Sequence, residues 1–291
     1  MNTTLEIGPS ASEVALAGAK GDDGRVDTTT AAFAELERSI YAALETYSNV
    51  HRGSGQHSMV STLLYEQARE IVLAYLGLSK ADHAMIFSTP RRADLLAATL
   101  APSTYQRVAS ADLGLPLGVV ALAVVRKALP KGVPFQTGGG TAKLVAPNWV
   151  LWAKAPDIFE PGTPAIVNII AFARALQITQ ELGKDAFRGA NVERRAAKEL
   201  LWHDDLEGYA GLELLDQLRQ TLIGRDARVP TIAGVKPFIN LDNGASTPTF
   251  RPIWEVVAQT WRLPTPVYGE IVDEVKAICA TVLGARSQTM T

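Results

Sequence analysis

Phe135-Gln-Thr-Gly-Gly-Gly-Thr141, followed by Phe159-Glu-Pro-Gly-Thr-Pro164, is the pair of segments that decides how this chain is read. Three successive glycines make a loop whose backbone can approach a neighbour that a Cβ would hold off. Between the two segments, Leu144 to Trp152 is a strand candidate broken at Pro147, and Trp152-Ala-Lys-Ala-Pro156 follows it. Beyond them, Ala165 to Leu182 is a long apolar helix stopped by Gly183. Before them, Leu115-Pro-Leu-Gly118 is a turn leading into Val119 to Val125, a β-branched apolar run suited to an interior strand.

Further outward, residues 1–29 are small and polar without periodicity, which predicts a mobile tail. Thr28 to Thr30 can cap a helix whose apolar face carries Phe33, Leu36, Ile40, Leu44 and Tyr47. A polar loop, Asn49 to His57, leads to a second helix. Its predicted face is Leu64, Ala68, Ile71 and Tyr75, with Gly77 as the stop. Ala84 to Phe87 reads as a short strand and Ala93 to Leu100 as a helix. Residues 184–229 are charged and mostly helical (Val192 to His203, Leu212 to Leu222), and Pro230 to Pro237 marks a boundary. Phe238 to Leu241 reads as a short strand before the turn-rich Asp242-Asn-Gly-Ala-Ser-Thr-Pro248. Ile253, Val257 and Trp261 then mark one helix, and Ile271, Val275, Ile278 and Val282 another, stopped at Gly284. The Leu283-Gly284 ending echoes Leu76-Gly77, with Lys276 matching Arg69 and Ile278 matching Ile71.

Composition narrows the class. Hydrophobic residues are 47% and charged residues 20%, the balance of a soluble globular chain. A net charge of −2 supplies no basic face for nucleic acid or an anionic membrane. Leu115 to Val125, the longest apolar stretch, is too short to span a bilayer. One cysteine, Cys279, forms no internal disulfide and fits a reducing, cytoplasmic setting. Mid-helix beside Ile278, it reads as a buried structural thiol. The four histidines, His51, His57, His83 and His203, show no metal-ligand spacing.

These segments together resemble the class V aminotransferases, the fold-type-I pyridoxal-phosphate (PLP) family that includes the cysteine desulfurases. The 135–141 loop is similar to that family's Gln-Gly-Gly-Gly loop, and 159–164 to its Phe-Glu-x-Gly-Thr-Pro signature. Tyr47-Ser-Asn-Val-His-Arg-Gly53 resembles its Asn-Val-His-Arg-Gly segment, near the active-site entrance and the subunit contact. Phe238-Ile-Asn-Leu-Asp-Asn-Gly-Ala-Ser-Thr-Pro248 resembles its opening strand and loop. The fold implied is α/β: an incomplete fold-type-I PLP-transferase-like architecture with many helices and short strands. Because the opening motif follows the late motifs, the order suggests two copies. A tail spans 1–30, a shortened first copy 31–183, a helical connector 184–235, and the start of a second copy 236–291. A circular permutation is the weaker alternative.

The resemblance implies PLP as cofactor and a small, amino-acid-like substrate. Cofactor-binding positions would be Arg91, Arg92, Thr137, Gly138, Gly139, Gly140 and Thr141. Substrate-binding positions would be Asn49, His51, Arg52, Asn243, Gly244 and Ala245. Arg91-Arg92 stands where the family places Gly-Thr-Thr. It reads either as a guanidinium pair suited to phosphate or, more commonly, as a solvated basic pair. His51 taken alone reads as a surface-loop histidine. No aspartate segment for the pyridine nitrogen is found, and Phe87 to Leu115 is too short for the usual central strands.

PLP chemistry needs a lysine that holds the cofactor as an imine. Counting back from the 115–118 turn, that position falls on Asp112, preceded by Ala111, and a carboxylate forms no imine. No catalytic residue is therefore assigned. Three expectations follow. One is activity only in a homo-oligomer or with a missing C-terminal copy that supplies the lysine. Another is a non-catalytic dimerisation or interaction module. The third is a truncated product whose Trp254 and Trp261 lack a sheet to cover, forgoing ~1.5–3 kcal/mol per exposed side chain.

Overall fold

A computed structural model describes residues 28–51, 53–188, 197–201, 206–241, 244, 246–263 and 265–285. Residues 1–27, Arg52, Asn243, Ala245 and most of the 192–203 helix predicted above lie outside the described residues. The chain divides into two compact units, residues 1–188 and 189–291. It is a mixed helix-and-strand structure, as the sequence predicts. Among the described residues, no helix is long and apolar enough to cross a membrane.

The first unit is organised by one strand and one helix. β1 (His83–Ser88), β2 (Tyr105–Ala109) and β3 (Val120–Val125) form an antiparallel sheet in the order β1-β3-β2. The apolar run at 120–124 is central because both of its faces are covered, with every residue at 1% exposure or less. It pairs Ile86 with Leu122 on one side and Val108 with Ala121 on the other. α1 (Thr28–Glu45), α2 (Gln56–Tyr75) and α3 (Pro90–Ala97) precede or interleave these strands, and α4 (Ile166–Leu182) packs against both α1 and α2. α4 is largely apolar, and Phe172, Ala171, Ala175, Leu176 and Ile178 are fully buried, as a helix between two others must be. β4 (Ala142–Ala146) and β5 (Trp149–Trp152) form a hairpin. Its turn is the Pro147 break read from the sequence.

The buried face of α2 differs from the predicted one. Tyr65, Ala68, Arg69, Val72 and Leu73 are buried, whereas Leu64, Ile71 and Tyr75 are only partly covered. The face is rotated because Arg69 goes inside, which its ion pair permits (below). Arg174 of α4 is likewise nearly buried, bonded to Glu35 of α1 at 2.7 Å.

The second unit contains α5 (Ala197–Leu201), α6 (Gly211–Gln220), a β6–β7 hairpin (Arg228–Thr231, Gly234–Pro237), α7 (Arg251–Thr260) and α8 (Thr265–Val282). The hairpin spans the 230–237 segment. Gly234 at φ 92° closes its tight turn, and Pro230 is tolerated because a two-stranded ribbon is all edge. Phe238 to Leu241 is not a strand. Ile239 and Leu241 are exposed and pair with no described strand. Trp254 and Trp261 do not remain wet: both are buried, edge to face at 5.3 Å. They, with Ala258, form the inner face of α7, while Ile253 and Val257 point outward. Leu263, Val267 and Ile271 pack on Ala197 and Leu200 of α5. Cys279 is exposed, contrary to the buried thiol expected, because α8 turns its Val267/Ile271 stripe inward instead.

Candidate functional site

The 135–141 loop and the 159–164 segment meet in space. Thr141 is buried, accepts the Gly138 amide at 3.1 Å and donates its hydroxyl to the Gly138 carbonyl at 2.7 Å. The Gly162 amide donates to the Gly139 carbonyl at 2.9 Å. A Cβ on Gly138 would sit 3.0 Å from Pro161 Cβ, so the glycine here answers to close packing. The glycine loop is thus a clasp on residues 160–162, while Thr137, Gly138, Gly139 and Gly140 stay solvent-exposed.

Glu160 is the centre of the arrangement. Its carboxylate receives both terminal nitrogens of Arg69, at 2.8 and 2.7 Å, a forked pair in which each oxygen takes one N–H. It also accepts the Tyr65 hydroxyl at 2.9 Å and the Phe87 amide at 2.6 Å. The Glu160 and Arg69 side chains are only 9% and 5% exposed. Arg69 donates further to the Met85 carbonyl at 2.6 Å and to Glu66 at 3.0 Å. Its guanidinium lies over the Tyr65 and Phe87 rings, 4.8 and 5.5 Å from their centroids. Burial alone would ease Arg69 towards deprotonation, but the Glu160 charge outweighs it and raises its pKa. Burial and the Glu160 charge push the Tyr65 hydroxyl well above its usual range, so it stays protonated as the donor to Glu160.

The His51 loop joins this centre from outside. His51 Nε2 stands 3.3 Å from Glu66, its ring is edge-on to Tyr65, and its amide donates to Thr62 Oγ1 at 3.0 Å. His51 sits at φ 60°, a left-handed conformation uncommon outside glycine. Ser58 Oγ donates to the Asn49 carbonyl and the Ser48 amide donates to Ser61 Oγ, so α2 straps the loop down. Burial raises the Glu66 carboxyl, but hydrogen bonds from His51 and Arg69 and the Arg69 charge overcome this and hold it near 2. A carboxylate lowered from its ordinary 4.5 stabilises the fold above that value and loses the contribution as pH falls towards 2. Glu66→Gln is therefore expected to flatten the acid-side loss of stability in that window. Denaturant midpoints at stepped pH check it.

The remaining predicted positions fall as follows. Arg92 donates to the Pro161 carbonyl at 3.0 Å, which ties α3 to the same centre, while Arg91 is exposed. Gly244 is exposed in the second unit, where Asn240 donates its side-chain amide to the Ser246 carbonyl at 3.0 Å. Arg52, Asn243 and Ala245 lie outside the described residues. Tyr65, Glu66, Arg69 and Glu160 are not among the positions that the sequence marks as functional candidates. The available signal was Glu160 inside a quoted motif and Tyr65/Arg69 at a four-residue helical spacing.

The residues present do not fit an imine-held PLP. Asp112 lies exposed on a short 3₁₀ turn between β2 and β3. Its carboxylate accepts the Ala109 amide at 2.7 Å and its carbonyl accepts Arg188 at 2.6 Å. In the first unit the described lysines, Lys80, Lys127, Lys131, Lys143, Lys154 and Lys184, are all exposed. α3 begins with Pro90, which removes one amide from the helix start where a phosphate would be held, and no side chain caps it.

Comparison with known proteins gives the family setting. Residues 113–222 match the aminotransferase class-V family model. A probable cysteine desulfurase of Halobacterium salinarum is 33% identical over 96 residues, 32% of this chain and 23% of that protein. One from Staphylococcus aureus is 35% identical over 71 residues, 24% of this chain and 17% of that protein. The matched stretches thus span less than a quarter of these curated relatives. Among solved structures, an apo cysteine desulfurase from Thermococcus onnurineus aligns with a TM-score of 0.42 and 17% identity, over 54% of this chain and 67% of that one. A cysteine desulfurase from Escherichia coli aligns with a TM-score of 0.38 and 14% identity, over 58% and 70%. The chain is class V aminotransferase-like, and the curated relatives named above are probable cysteine desulfurases. The matched stretch starts at Leu113, one residue past Asp112.

Proposed function

We propose that this class V-like chain is a non-catalytic scaffold, a dimerisation or interaction module that keeps the family's packing and has lost its imine chemistry. Asp112 carries the proposal. At the position where the resemblance calls for an amine there is a carboxylate, and it is engaged in holding its own turn. The motif residues that remain serve structure: Glu160 fixes α2 to β1, and Gly138 to Thr141 clasp 160–162. The sole cysteine fits a cytoplasmic setting. In titrations with PLP, the visible spectrum is expected to be that of the free aldehyde. A new, saturable band at stoichiometric PLP would overturn the proposal.

One observation favours a second reading, in which another chain or a further copy supplies the lysine. His51 is held at positive φ in a loop strapped to α2, and unusual backbone geometry of this kind collects at functional sites. Asn49, His51 and the glycine loop would then border a site for PLP and an amino-acid-like substrate that is shared with the other chain or copy. Mixing with a lysine-bearing class V partner separates the two: a PLP band only in the mixture supports this reading.

A further inference from the structure

We infer that the Arg69–Glu160 pair guards the outer edge of β1: it stands where a neighbouring strand would, and keeps a second copy of this chain from adding its own β1 there.

The geometry starts at the backbone. Among the described residues β1 has one strand neighbour, β3, so its other side is a sheet edge. Edge strands present unpaired N–H and C=O groups on which another strand can add. The Phe87 amide has one hydrogen, and Glu160 takes it at 2.6 Å. Phe87 therefore turns its amide away from β3, and Met85, two residues earlier, turns the same way. The Met85 carbonyl receives Arg69 Nη1 at 2.6 Å. The same nitrogen stands 2.8 Å from Glu160 Oε1, the oxygen that takes the Phe87 amide. One donor and one acceptor, joined to each other, thus satisfy two successive outward groups of the edge. A paired strand would offer the same two functions from its own backbone.

The two edges of this sheet differ in a way that calls for such a device. β2, the other edge, carries exposed Gln106 and Arg107, and Arg107 pairs with Asp94 at 3.1 Å. Charge on an edge discourages strand addition. β1 has no room for it: Ala84 to Phe87 are all 4% exposed or less, covered on both faces. The charge has to come from outside the strand, and α2 and the 159–164 segment bring it. The clasp keeps it in place, because Arg92 is bonded to Pro161 and Gly162 to Gly139, on the two residues after Glu160.

β1 itself indicates what the guard excludes. Ala84-Met-Ile-Phe87 is uncharged, apolar and free of proline and glycine, a composition suited to pairing with itself. Two copies of one edge, run antiparallel about a two-fold axis, offer each other the same groups. A β1–β1 ladder can form only where the fork has left the edge. This holds whether or not the chain has lost imine chemistry.

The test opens the edge in the full chain. Arg69→Met with Glu160→Leu removes both charges and both bridging groups, and circular dichroism checks that the helices remain. The probe is a labelled peptide of residues 82–89, followed by fluorescence anisotropy. The variant is expected to bind it at least about tenfold more tightly than the natural chain, through main-chain hydrogen bonds. It should also sediment as larger species at equal concentration. The same peptide N-methylated from Ala84 to Phe87 cannot donate to a ladder and should lose that gain. Tyr65→Phe, which takes one bond from Glu160 but leaves the edge covered, should bind like the natural chain. Should the first variant unfold, Arg69→Met with Glu160→Gln replaces it. Only the Met85 carbonyl is then opened, and a smaller gain, still above that of Tyr65→Phe, is expected. Unchanged binding in the opened chain, unchanged sedimentation, equal binding of the methylated peptide, or an equal gain in Tyr65→Phe would each overturn the inference.

Discussion

Replacing Glu160 with alanine is expected to destabilise the first unit by about 3–5 kcal/mol, the usual cost of leaving one half of a buried ion pair uncompensated. The size follows from what Glu160 holds. Both terminal nitrogens of Arg69, the Tyr65 hydroxyl and the Phe87 amide converge on one carboxylate with little access to water. Its removal strands a guanidinium between two aromatic rings. Urea denaturation measures the loss. The double variant Glu160→Gln with Arg69→Met should recover much of it, since an apolar side chain then fills the space without a charge to satisfy. If Glu160→Ala alone leaves the midpoint unchanged, the centre described here is not what joins α2 to β1.

Phe172→Ala is expected to have an effect of similar size, about 3–5 kcal/mol for a fully buried aromatic in a close-packed core. Phe172 is 0% exposed on the helix that packs against both α1 and α2. Hydrogen exchange is the suitable measurement. Amides of α4 should lose at least about a hundredfold in protection, the factor that such an energy implies. Amides of α7 and α8, in the other unit, should keep theirs.

Much of this architecture could be read from local pattern. The 119–125 run became the central strand because both faces of a β-branched apolar segment demand cover. The break at Pro147 became a hairpin turn because proline leaves the ladder. The glycine loop and the 159–164 segment were recognisable as a pair, though not as a clasp. What remained hidden depends on partners distant in sequence. Arg69 reads as a solvent-facing residue by periodicity, and only a carboxylate 91 residues away makes its burial possible. The same pairing rotated the buried face of α2 away from Leu64 and Ile71. In the second unit, Phe238 to Leu241 had the composition of a strand, but a strand needs a neighbour, and β7 pairs with β6 instead. Trp254 and Trp261 lack a sheet to cover, and pattern alone does not show that each covers the other.

Whether any amine in this polypeptide can capture an aldehyde specifically is the question on which the proposal stands, and borohydride answers it. The full chain is mixed with equimolar PLP, reduced and mapped by peptide mass. Trace labelling spread over exposed lysines such as Lys127, Lys131 and Lys143 is the predicted result, whereas stoichiometric labelling of one lysine would contradict the account.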